Sequence, residues 1–192
     1  MPMHRDAITI VSGLPRSGTS MMMRMLAAGG MATVTDEIRS ADEDNPAGYY
    51  EFERVKQLKE DASWLPDARG KVVKIVSALL VHLPRDHAYQ LVFMRRKMSE
   101  ILDSQQAMLR RRGKPADPSA DGKMSALYEK HLQQTDDWMR REPNVRFIYV
   151  DYNDMLANPA EEVARVNAFL GNTLDAAAML EVVDRGLYRQ QR

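Results

Sequence analysis

The sequence predicts an α/β fold of three layers with a mostly parallel central sheet, in one domain spanning residues 1–192. Two observations carry this. Four short β-rich apolar runs, Ala7–Val11, Lys71–Val76, Tyr89–Met94 and Val145–Val150, alternate with stretches of helical spacing, the order that builds βαβ units. The last three runs lack clean polar alternation, as strands covered on both faces do.

Each intervening element has a local reason. Gly18–Ala28 reads as a helix stopped by Gly29 and Gly30, and its Met21, Met22, Met23 and Met25 form a face packed on the sheet. Glu51–Asp61 reads as a charged amphipathic helix. Met98–Arg112 ends in Arg110, Arg111 and Arg112, cations where a helix dipole favours them. Ser125–Arg141 carries Leu127, His131, Leu132, Thr135 and Trp138 along one side. Asn158 and Pro159 cap and start a helix that runs to Leu170 and stops at Gly171. Thr35–Tyr50, which is acidic, and Gly113–Gly122 read as loops. No internal repeat occurs.

Bulk properties exclude several chemistries. A formal net charge of zero gives no global attraction to nucleic acid or to an anionic membrane. The absence of cysteine removes disulfides, thiolate catalysis and cysteine-ligated metals. No cluster of His, Asp and Glu has the spacing of a catalytic metal site, so no metal is expected. The apolar run near the N-terminus is too short for a signal peptide and no stretch is long enough to span a bilayer, so a cytoplasmic location is expected.

The first functional signal is the run from Ile8 through Val11, Ser12, Gly13, Leu14, Pro15 and Arg16 to Ser17, Gly18, Thr19 and Ser20. A strand passes through a glycine-bounded loop into a helix, so backbone N–H groups and the helix N-terminus converge on an anion. Ser17, Thr19 and Ser20 add hydroxyl donors. Gly13 and Gly18 have the spacing of the nucleoside-triphosphate loop, and Ser20 fits its end. Thr19 stands where that loop has lysine, and the basic residue is Arg16 instead. Such a loop is poorly equipped for β- and γ-phosphates but can hold one phosphate joined to another anionic group.

Three parts of the chain resemble the sulfotransferase family. Pro15–Ser20 resembles its 5′-phosphosulfate loop. Leu91–Arg96, followed by Ser104, resembles the strand-end arginine and helix serine of its 3′-phosphate site. Phe147–Asn158, continuing to Gly171, resembles its late strand and helix. The resemblance implies a P-loop-like domain that uses 3′-phosphoadenosine 5′-phosphosulfate (PAPS) as sulfuryl donor, with Arg16, Ser17, Gly18, Thr19, Ser20, Arg96 and Ser104 binding it. The acceptor is a small molecule or peptide with a hydroxyl or amine. Lys97 and Met98 follow Arg96, where the family often has Asn-Pro or Asp-Pro. Arg95 is assigned to a solvated patch or a structural pair. Asp184–Arg189 loosely resembles a further 3′-phosphate loop, which leaves open a role for Arg185 and Arg189.

Arg16 cannot give up its proton, so it acts by charge and hydrogen bonding. The resemblance aligns Lys74 with a lysine near the sulfuryl group. His4, His82, His87 and His131 do not fall where the cytosolic members carry their histidine base, and each is assigned a surface or structural role. Tyrosylprotein-type members carry a glutamate 21 residues past the loop arginine, which falls on Glu37. Asp36 is adjacent to it, and Glu51 is the third carboxylate considered. Two alternatives stay open at this level: a nucleotide-dependent small-molecule kinase, and a non-catalytic nucleotide-binding module.

Overall fold

A computed structural model describes residues 6–36, 50–114, 119 and 121–183. Five strands form one sheet: β1 (Ile8–Gly13), β2 (Thr33–Val34), β3 (Val72–Lys74), β4 (Tyr89–Arg95) and β5 (Val145–Asp151), in the order β2-β3-β1-β4-β5. Every described pairing is parallel, with Val11 beside Lys74 and Val92, and Arg95 beside Asp151. The helices are α1 (Thr19–Ala28), α2 (Met98–Arg111), α3 (Asp121–Arg141), α4 (Tyr152–Ala157), α5 (Pro159–Phe169) and α6 (Ala176–Glu181).

The period of two along each strand divides the core between the faces of the sheet. Val11, Val92, Met94 and Val150 pack with the α1 methionines and with residues of α4, α5 and α6. Ile8, Ile10, Leu91 and Phe93 pack with Trp64, Leu65, Leu80 and Met139. β1 is buried along its whole length, as a central strand covered on both faces must be. The methionine run of α1 is buried to a residue. Among the described residues no helix is long and apolar enough to cross a membrane.

Three sequence expectations are corrected. The helix expected over Glu51–Asp61 is a short 3-10 turn, Glu53–Gln57. Local side-chain bonds compete with helical ones there: Asp36 accepts the Glu53 N–H at 2.6 Å, and Asp61 accepts the Ser63 N–H at 2.9 Å. β2 was not anticipated, because two residues are too few to show a period. Asn158 precedes Pro159 as expected but makes no side-chain cap; its N–H instead closes α4 on Asp154 at 2.8 Å.

Candidate active site

The loop after β1 is shaped by what its glycines leave out. Gly13, at φ 151°, has Ser17 Oγ and the Met94 carbonyl 2.5 and 2.7 Å from where a Cβ would sit. Gly18, at φ 99°, has the Tyr152 ring edge 2.4 Å from that point. A side chain at either position would collide and be held in a left-handed conformation that only glycine adopts at no cost. Arg16 is left-handed too, at φ 72°, and carries that cost of about 1–2 kcal/mol. Its guanidinium is thereby turned toward α2.

The Ser17 N–H and hydroxyl both donate to the Leu14 carbonyl, at 3.2 and 2.7 Å. The hydroxyl of Ser17, expected to donate to a ligand, here closes the loop on itself. Thr19 and Ser20 open α1, where no side chain caps the helix start. The first N–H groups of a helix have no intrahelical acceptor, so they present partial positive charge to the loop.

Three elements converge on this turn at the carboxyl edge of the sheet. Arg16 Nε donates to Ser104 Oγ on α2 at 2.9 Å. Arg96, just past β4, donates through Nη1 to the Arg16 carbonyl at 3.2 Å and through Nε to Glu100 Oε2 at 2.8 Å. Lys74, the last residue of β3, donates through Nζ to Ser20 Oγ at 3.1 Å. The connection from β1 leads to one side of the sheet and that from β4 to the other. Arg16, Arg96 and Ser104 therefore sit at its topological switch point, where open parallel sheets take ligands.

Glu100, Asn153 and Tyr152 were not anticipated. Glu100 is wholly buried, pairs with Arg96 and accepts the Asn153 amide at 3.0 Å. The guanidinium of Arg96 lies 4.5 Å from the centre of the Tyr152 ring. Burial raises the Tyr152 phenol above its usual range, against the pull of Arg96. The i,i+4 spacing of Arg96 and Glu100 was the available sequence signal.

The other expected residues are placed as follows. Asp36 lies beyond β2; its N–H donates to the Glu51 carbonyl at 3.3 Å, and its carboxylate takes the Glu53 N–H. Asp36 and Glu51 thus hold together the two ends of the segment between them. Glu37, Arg185 and Arg189 lie outside the described residues. Arg95 stacks on Tyr149, 3.3 Å from the ring centre, which is a structural pairing.

A phosphate-type loop at the switch point of a five-stranded parallel sheet, with arginine in place of the triphosphate lysine, defines a P-loop-type α/β domain. More narrowly, the chain belongs to the sulfotransferase family, whose model matches residues 31–176. Solved structures agree on the fold. The sulfotransferase domain of the Synechococcus PCC 7002 olefin synthase has a TM-score of 0.58 at 16% identity, over 95% of this chain and 80% of that one. Mouse SULT7A1, solved in complex with PAP, has 0.58 at 15%, over 93% of this chain and 64% of that one. STF9 from Mycobacterium avium has 0.54 at 14%, over 100% and 70%. At these identities the likeness is one of fold. No curated protein matches the chain in sequence.

Proposed function

We propose that the protein transfers a sulfuryl group from PAPS to a hydroxyl or amine of a small-molecule or peptide acceptor. The observation that carries this reading is the convergence of the Arg16 loop, Arg96 and Ser104 at one switch point. Two anion-binding elements in contact suit a nucleotide with anionic groups on both its 5′ and 3′ positions. The 5′-phosphosulfate takes the N–H groups and hydroxyls at Gly18, Thr19 and Ser20, with Ser17 shaping the loop. The 3′-phosphate takes Ser104 and the edge of Arg96, and Arg16 and Ser104 exchange their mutual hydrogen bond for nucleotide oxygens.

In the transfer, the acceptor oxygen bonds to sulfur while the bond from sulfur to the 5′-phosphate oxygen breaks. Its electron pair stays on the departing phosphate, where Arg16 and Lys74 supply positive charge. No metal is needed for that role. The acceptor's proton goes to a carboxylate of the acidic segment, Glu37, with Asp36, which also accepts the Glu53 N–H, and Glu51 as the alternatives.

The product nucleotide 3′-phosphoadenosine 5′-phosphate (PAP) should raise the melting temperature more than ATP, ADP or AMP at equal concentration. Ligand at 100 times its dissociation constant adds about 2.7 kcal/mol of stability. Equal or greater stabilisation by ATP would turn the reading toward a kinase.

A further inference from the structure

Between α1 and the end of α6 lies a cavity of about 640 Å³, lined by Arg24, Ala27, Tyr50, Glu181, Val182 and Val183. Ligand pockets run to about 300–1,000 Å³, with apolar walls and a few fixed polar groups, and this cavity has that make-up. Its cation is Arg24. The Arg24 Nε is shut off from solvent without a hydrogen-bond partner, and among the described residues no carboxylate pairs with the guanidinium. A buried donor left without an acceptor is costly, and native proteins keep few of them. Glu181 lines the same cavity but is exposed, where water and salt screen its charge.

The helix α1 ties this cavity to the phosphate-type loop. Arg24 follows Ser20 by about one turn, so the two share a helix face with Cβ atoms about 5–6 Å apart. Side chains on a helix lean toward its N-terminus, which brings the guanidinium back over the turn that opens at Ser20. Burial raises the Tyr152 phenol, and the charges of Arg96, Arg24 and Arg16 all pull it back. The Tyr152 ring edge in turn lies against Gly18. Three arginines thus act on one side chain beside the loop.

Tyr50 ties the cavity to the acidic segment. It is left-handed at φ 50°, a conformation that a bulky residue keeps only where its surroundings enforce it. The next residue, Glu51, is one of the carboxylates considered for the acceptor's proton, and its carbonyl takes the Asp36 N–H at 3.3 Å. A compound in the cavity therefore lies between the helix that carries Ser20 and the segment that carries the proposed bases.

We infer that this cavity takes the sulfuryl acceptor and that the acceptor is a hydroxy acid. Its carboxylate pairs with Arg24, its apolar body rests on Ala27, Val182 and Val183, and its hydroxyl faces the loop. This deepens the PAPS reading above and rests on it. The hydroxyl oxygen bonds to sulfur as the bond from sulfur to the 5′-phosphate oxygen breaks, and the hydroxyl proton passes to the acidic segment. The acceptor's own carboxylate stays on Arg24 unchanged, so Arg24 binds and orients and takes no part in the transfer.

The test uses the full chain and 3-(4-hydroxyphenyl)propionate, with 4-ethylphenol and tyramine as its neutral and cationic counterparts. Calorimetry without nucleotide should show the acid binding about tenfold or more tighter than either counterpart. Arg24→Gln should weaken the acid about 10–100-fold and leave 4-ethylphenol within about threefold, and Arg24→Lys should restore part of the loss. Ligand-free Arg24→Gln should be no less stable than the parent, because the cation has no partner to lose. With PAPS, the acid should be sulfated with a higher kcat/KM than 4-ethylphenol. An acid that binds no tighter than 4-ethylphenol, or whose affinity survives Arg24→Gln, overturns the inference. So does a loss of stability in ligand-free Arg24→Gln, which would make Arg24 structural. Displacement of the acid by PAP would assign the cavity to the nucleotide, and binding without sulfation in a protein that captures PAP would make the acid a bystander; either overturns it. Failure of PAP to outdo ATP in the melting experiment sinks the PAPS reading separately and leaves the Arg24 affinities to be read on their own.

Discussion

Arg16 and Arg96 touch through one backbone carbonyl, yet their side chains sit in unlike surroundings. Arg16 is half-buried on a left-handed residue and donates to a neutral hydroxyl, Ser104. Arg96 has a side chain only 8% exposed and lies against Glu100, which is wholly buried. A buried cation facing a carboxylate is charge-compensated, and removing either partner strands the other in a medium that solvates it poorly. Arg96 is framework as well as proposed anion site: its Nη1 bond to the Arg16 carbonyl fixes the loop from behind. In the proposed transfer, the charge directed at the reacting group is assigned to Arg16 and Lys74.

This contrast can be broken by substitution. Arg96→Ala leaves Glu100 uncompensated and unties the Arg16 carbonyl, so urea unfolding should show a loss of about 3–5 kcal/mol. A stable variant that loses only nucleotide affinity would erase the distinction between the two arginines. Arg16→Gly should behave oppositely. Glycine relieves the left-handed strain, which offsets the lost hydrogen bond to Ser104, and unfolding free energy should change by less than about 1 kcal/mol. Turnover should nevertheless fall about 10²–10³-fold.

The smallest effect separates pH from both arginines, which stay charged throughout. His131 has a folded pKa below its ordinary 6.5 because it is partly buried. The unfolded chain then binds the proton more readily, so this contribution to stability is complete above pH 6.5 and is lost as pH falls below it. Unfolding measured across that window should show a shallower slope in His131→Gln than in the parent. Equal slopes would assign the acid sensitivity to other groups.

The parts legible in the sequence are those governed by local rules. The glycine spacing around Arg16, the apolar runs of β1 and β4 and the basic end of α2 each announce themselves within a dozen residues. Arg16, Ser104, Lys74 and Ser20 stand out by motif resemblance, and the fold brings their side chains into contact. What stays hidden depends on which remote residue fills a given space. Tyr152 matters because Gly18 leaves room for its ring, and no local pattern links positions so far apart. His131 looks like one more polar residue on an amphipathic helix until the fold sets its Nε2 against Ser77 and Thr135. The expected helix at Glu51–Asp61 fails because Asp36, outside the window, takes a backbone N–H from it.

The contacts that assemble the site span 88 residues from Arg16 to Ser104, 80 from Arg96 to Arg16 and 54 from Lys74 to Ser20. Each also crosses between parallel strands, whose pairing requires a long connection to be closed first. Such contacts carry a large loop-closure entropy and form slowly. No isolated strand–loop–helix fragment of this chain holds the assembled site, so the proposed nucleotide capture would mark the end of folding. During refolding, recovery of nucleotide affinity should trail the return of helical signal, and a ligand that waits for the last contacts cannot act as a template for the earlier ones.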